Sequence, residues 1–320
     1  VASNTAKSGP PLPHATPYPT NKSGEAGEKE RATKRINFLA LVFCMMVGTA
    51  ALPHILMRYY TTPSVQEARV SVFWSLFFIF LLYFTAPALA VLVKFDIYSL
   101  VVGKAFADLP AWVASWQKVD PRLLSIVDVN KDGIVQLAEI SIGQDIIVLA
   151  TPEIAGLPYV ISGLVAAGGL AAALSTADGL LLTIANALSH DLYYKMINPN
   201  ASTQKRVLIS KILLLFVALF AAWVTSLKPG NILFLVGAAF SMAASVFFPA
   251  LVLGVFWKRA NKWGAVTGML AGLGMCLYYM IHTYPQFIEW FGTTKMDLWW
   301  GIQPISSAVF GVPAGIVVLV

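Results

Sequence analysis

Residues 168–195, GGLAAALSTADGLLLTIANALSHDLYYK, decide the fold. The stretch is apolar enough for the interior of a bilayer, yet it carries hydroxyls, an acid, an amide and an imidazole. At about 100° per residue, Ala172, Ser175, Thr176, Gly179, Thr183, Asn186 and His190 fall within about 60° of one meridian, and the far side is Leu, Ile and Ala. Unpaired polar groups in hydrocarbon are costly, so a membrane helix turns such a stripe towards protein, water or an ion. Ala172, Ser175 and Thr176 stand at i, i+3 and i+4, which lets one carbonyl and two hydroxyls converge. Hard cations take oxygen ligands of this kind, and a neutral cluster suits a monovalent ion better than a divalent one. Asp178, deep in the same run, is a further candidate for a cation, a proton or a basic partner; a hydrogen-bonded structural acid is its plainer reading.

Composition agrees with a membrane protein. Hydrophobic residues make up 58% of the chain and charged residues 12%, with a mean hydropathy of +0.71. A soluble domain carries about a quarter charged residues. The net charge of +6 therefore reads as basic membrane-facing loops rather than a nucleic-acid surface. Cys44 and Cys276 sit inside apolar runs and read as small buried hydrophobes, not as a disulfide or a metal pair. No phosphate loop, nucleophile elbow, zinc-binding His-Glu-x-x-His or paired catalytic carboxylates occur, which leaves enzyme chemistry without a foothold. A start at Val1, a stop inside an apolar run and no signal peptide read as the back part of a longer protein.

Three stretches carry a family resemblance. ALSTADGLLLTIANALSHDLYYK (173–195) resembles the sodium-site helix of the sodium:solute symporter family, where a Ser-Ser or Ser-Thr pair precedes an Asp-(Leu/Ile)-Tyr end. GTAALPHILMRYYTTPSVQEAR (48–69) resembles the acetate-permease branch, and GVFWKRANKWGAVTGM (254–269) is similar to a family signature. The resemblance covers residues 36–320. It implies an all-α polytopic membrane protein, a LeuT-type inverted-repeat bundle of which this chain holds about seven helices. It also implies sodium at Ala172, Ser175 and Thr176. At Asp178 some relatives have an additional sodium site, whereas the acetate-permease branch does not show an acid there. The helix interrupted near Gly48-Thr49 and Pro53 corresponds to the one that lines the solute site, which places Thr49, Ala50, Leu52, Pro53 and His54 near the solute. Interrupted transporter helices free backbone groups for ligands; a proline kink and a satisfied core histidine are the plainer readings of Pro53 and His54.

The remaining chain organises around these points. Residues 1–35 lack an apolar period and read as an extramembrane loop or disordered segment. Two spans follow in 36–93, with Ser64 and Glu67 as an N-cap and its capping-box partner, and an aromatic-rich second span that Pro87 should bend. Residues 94–155 are a polar extracytoplasmic segment, and 156–320 hold five more spans, the last incomplete. Gly264, Gly268, Gly272 and Gly274 are expected to let helices approach closely, and Pro229-Gly230 marks a tight turn. His190 and Asp191 read as a helix cap or a gate.

Within the polar segment, residues 128–139 fit an EF-hand calcium loop. Asp128, Asn130 and Asp132 occupy positions 1, 3 and 5, and Gly133 position 6. Ile134 would give its carbonyl at 7, Gln136 its side chain at 9 and Glu139 a bidentate carboxylate at 12. The flanks LLSIV and LAEISI are expected to form short helices. Charge counting leaves orientation open, because basic residues crowd both ends of the first span; the need of a weak calcium loop for abundant calcium, and the family resemblance, place residues 1–35 and this loop outside. The reading is a sodium-coupled importer of a small monocarboxylate such as acetate in the bacterial inner membrane. Sodium is the coupling ion and calcium a structural one; nucleic acid is no partner, and a small membrane subunit stays open. The competing reading is a symporter-like sensor joined to a signalling domain.

Overall fold

The computed structural model describes residues 17–59, 61–121, 123–143, 146–227 and 232–320; the turn at Pro229-Gly230 lies outside them. Helices dominate: α1 (Gly24–Ala51), α2 (Pro53–Tyr59) and α3 (Val65–Leu100). Next come α4 (Ala111–Val119), strands β1 (Leu124–Ile126) and β2 (Ile140–Ile142), and α5 (Ile147–Ile154). Then α6 (Tyr159–Asn186) runs on into a π-helical stretch, Ala187–Ile197. The chain closes with α7 (Thr203–Ser226), α8 (Ile232–Phe256), α9 (Lys262–Thr283), α10 (Pro285–Phe291) and α11 (Ala308–Leu319). Among the described residues six helices are long and apolar enough to cross a membrane, and the run Pro304–Leu319 is a shorter apolar one. The protein is thus an all-α polytopic membrane protein, with six full-length spans among the described residues and a seventh, shorter one, the count the sequence predicts.

The sequence boundaries need two corrections. Residues 24–35 are helical and continue α1, because their charges pair along one face: Lys34 Nζ lies 2.8 Å from Glu30 and Arg31 Nη1 2.8 Å from Glu28. Such i, i+3 and i, i+4 pairs support a helix without any apolar period. The first flank of the acidic loop forms a strand, and the second forms one 3₁₀ turn, Leu137–Glu139, before its strand. Leu124, Ser125 and Ile126 pair antiparallel with Ile142, Ser141 and Ile140, and Leu124 and Ile126 are buried to either side of Ser125. That alternation belongs to a half-buried strand.

The residues fall into two compact units, one made of residues 1–21 and 64–176, the other of 22–63 and 177–320. In the first, Ser64 caps α3 by accepting the Glu67 amide at 3.2 Å. At the far end of α3, Val93 and Ile97 pack with Ile146, Ala150 and Ile154 of the α5 region. A second cluster joins Val101, Val113, Leu124, Ile126 and Val135, with Trp112 and Trp116 packed against it. These contacts give the loop segment a core of its own.

In the second unit α8 packs on α1, α9 and α11, and α9 packs on α11. Small residues set the spacing. A Cβ on Gly48 of α1 would sit 2.7 Å from the Phe240 carbonyl of α8, and one on Gly272 of α9 would strike the Ser245 backbone of α8. Gly264 and Gly268 likewise meet α11, whereas Gly274 faces open space, so of the four α9 glycines named in the sequence, Gly274 has no packing role. The α8 serines inside this bundle are satisfied, whereas Ser306 Oγ is buried without a hydrogen-bond partner. Ser245 Oγ donates to the Ser241 carbonyl at 2.7 Å and Ser241 Oγ to that of Ile305 at 2.7 Å. Cys44 and Cys276 are buried free thiols.

Candidate functional site

The hydroxyl stripe lies along α6. Ala172, Ser175, Thr176 and Asp178 are all exposed. Thr176 Oγ1 donates to the Ala172 carbonyl at 3.3 Å, so the hydroxyl and the carbonyl read as cation ligands share one helical turn. Two turns of α6 further on, Thr183 Oγ1 donates to the Gly179 carbonyl at 2.7 Å.

The break between α1 and α2 is a single residue. Leu52 has φ −67° and ψ 118°, which is extended backbone. Pro53 opens α2, where a residue without an amide hydrogen costs nothing, and the amides of Ile55 and Leu56 both donate to the Leu52 carbonyl at 3.1 Å. Thr49 turns its hydroxyl back onto the Met45 carbonyl at 2.7 Å. Thr49 and Ala50 are exposed, Leu52 is buried, and Pro53 and His54 are half-buried. The Nδ1 atom of His54 is buried without a hydrogen-bond partner.

Within the second unit α2 meets the lower part of α6 at Gly179. A Cβ there would lie 3.3 Å from Arg58 Nη2 and 4.0 Å from His54 Cβ. The sequence singles out His54 and not Arg58. The signal that marks Arg58 is a glycine on an otherwise polar stripe, which leaves room for a long side chain. At the π-helical end, Asp191 pairs within its own helix. It takes Lys195 Nζ at 3.1 Å and lies 3.2 Å from His190 Nδ1, all exposed and so contributing little to stability.

The acidic loop has the backbone course its sequence calls for. Gly133 adopts φ +72° and donates its amide to Asp128 Oδ2 at 3.0 Å. Asp132 donates its amide to Asn130 Oδ1 at 3.2 Å, and Ile134 its amide to Asp132 Oδ1 at 2.8 Å. The Ile134 amide first, then the side chains of Asn130 and Gln136, hold the Asp132 carboxyl below the ordinary carboxylate range. Glu139 accepts the amides of Val129 at 2.9 Å and Gln136 at 3.0 Å. Among the described residues no three His, Cys, Asp or Glu side chains stand together as a metal-holding group.

Comparison with known proteins places these features. Residues 137–272 match the model of the sodium:solute symporter family. The chain is 62% identical over 315 residues to an uncharacterized symporter of Cupriavidus necator, covering 98% of this chain and 45% of that protein. It is 29% identical over 243 residues to a monocarboxylic acid transporter of Corynebacterium glutamicum, covering 75% of this chain and 38% of that protein. No solved structure matches. Through residues 137–272 the chain is similar to the sodium:solute symporter family, and it is a multi-pass protein of the bacterial inner membrane. It spans under half the length of the curated relatives it matches.

Proposed function

We propose that the complete protein is a sodium-coupled importer of a short monocarboxylate such as acetate, and that α6 holds the coupling ion. The observation that carries this reading is the single turn of α6 on which the Ala172 carbonyl and the hydroxyls of Ser175 and Thr176 coincide, with Thr176 already bonded to Ala172. Their exposure supports a site whose remaining ligands come from a part of the protein outside these 320 residues. Asp178, two residues past the turn, holds a second cation or a proton in this reading. Sodium entering down a potential of about 100 mV releases about 2.3 kcal/mol per charge, enough to accumulate a solute against its gradient.

The solute segment is Thr49, Ala50, Leu52, Pro53 and His54. The extended residue between α1 and α2 and the free Nδ1 of His54 support it, and the named substrate class of the Corynebacterium relative supports a monocarboxylate. Besides sodium, the proposal includes a structural calcium ion in the 128–139 loop.

In the full-length protein, Ser175→Ala and Thr176→Ala should each raise the sodium concentration for half-maximal uptake at least tenfold, about 1.4 kcal/mol. Ser162→Ala, on the same helix but off the turn, should leave it unchanged. Equal effects from all three would remove the ion-site assignment.

A further inference from the structure

We infer that the 128–139 loop is a calcium-triggered clamp that fastens the outer end of α3 to the β1–β2 ladder. It rests on the membrane topology proposed above and is independent of sodium coupling. Two buried oxygens in the loop lack any hydrogen-bond partner, Asp128 Oδ1 and Gln136 Oε1. Gln136 is 3% exposed, and its amide nitrogen donates to Asp132 Oδ2 inside the loop, which fixes the amide group there. These two oxygens belong to the first and ninth positions of the motif, both of which face the ion in an EF-hand loop. A purely structural acidic turn has no use for them. Unpartnered oxygens are tolerated where a ligand takes them up.

The rest of the donor set is hard oxygen: Asn130, Asp132, the Ile134 carbonyl and Glu139. That set selects calcium over softer transition metals. Three carboxylates share the loop with Lys131 as its one internal cation, so a divalent ion also relieves their mutual repulsion. Binding draws the Glu139 carboxylate off the amides of Val129 and Gln136 and onto the ion, the one large rearrangement required.

The clamp follows from what the loop holds. Val135 is fully buried. It donates its amide to the Lys104 carbonyl at 2.8 Å and accepts the Gly103 amide at 2.8 Å, just past the end of α3. Ile134 forms a bridge with Ala105. Glu139 leads directly into β2. An ion fixed between Asp128 and Glu139 therefore ties β1, β2 and the 103–106 segment at one point. The affinity expected of a single extracytoplasmic loop is about 10⁻⁴–10⁻³ M.

The test uses terbium as a luminescent stand-in, with full-length protein in detergent. Trp112 and Trp116 pack against the cluster that contains Val135 and serve as energy donors. Expected is saturable tryptophan-sensitised emission, displaced by millimolar calcium and not by equal magnesium. Asp128→Asn and Glu139→Gln should each weaken calcium displacement at least tenfold, and Asn130→Asp should tighten it severalfold. The tightening variant keeps the inference testable if the weakening variants do not fold. Calcium should also raise the melting temperature of the wild type and not of Glu139→Gln. No sensitised emission, or identical calcium titrations in wild type and Asn130→Asp, would overturn the assignment. Sodium-driven uptake reads the transport proposal separately.

Discussion

Helices α8 and α6 have similar lengths and similar apolar character, yet they are treated oppositely by the rest of the chain. Much of α8 is buried against α1, α9 and α11, while the best apolar window of α6 has no buried residue. The difference lies in the small residues. On α8 the serines are satisfied inside the bundle, Ser241 on Ile305 and Ser245 on Ser241, and glycines of the neighbours bring backbones into contact with them. On α6 the Ser-Thr pair is exposed, and Thr176 bonds only its own helix among the described contacts. Membrane helices gain little from apolar burial against one another, so packing and polar satisfaction decide what associates. Satisfied serines therefore read as glue, and an open hydroxyl pair as a ligand set.

The comparison breaks most visibly at Gly272. Gly272→Leu drives a side chain into the Ser245 backbone and should cost about 3 kcal/mol, read as a lowered melting temperature and loss of monodisperse protein in detergent. Gly274→Leu, facing open space on the same helix, should stay within about 0.5 kcal/mol of wild type. A middle-sized effect is expected at Ser175, where the alanine variant should change sodium dependence by at least tenfold and leave the melting temperature alone. The reverse pattern, a stability loss without a sodium effect, would make α6 another packing helix. The smallest effect is expected at Gly179. Gly179→Leu should displace the flexible Arg58 side chain and slow uptake about threefold, roughly 0.7 kcal/mol, whereas Gly163→Leu, which meets nothing, should not.

The spans were legible because a 20-residue apolar run has few alternatives. The polar stripe of α6 was legible because its residues recur at helical spacing. What was not legible depended on partners distant in sequence. The 24–35 extension of α1 is polar throughout and is helical through local charge pairs that no hydropathy reading registers. LLSIV and LAEISI are short enough to be either helix or strand; burial of Leu124 and Ile126 against Val101 and Val113 selects strand in the first, and the second divides into a 3₁₀ turn and a strand. The π-helical run after Asn186 and the placement of Arg58 over Gly179 have no sequence period at all. Gly268, Gly272 and Gly274 look alike in sequence, and only the positions of α8 and α11 separate them.

The central claim is tested most directly by uptake of labelled acetate, lactate and pyruvate into proteoliposomes holding the full-length protein, with an imposed inward sodium gradient. The account predicts that at least one of these accumulates only when the gradient is present, and that Ser175→Ala abolishes the dependence. Uptake indifferent to sodium in the wild type, or equally sodium-driven in Ser175→Ala, would contradict it.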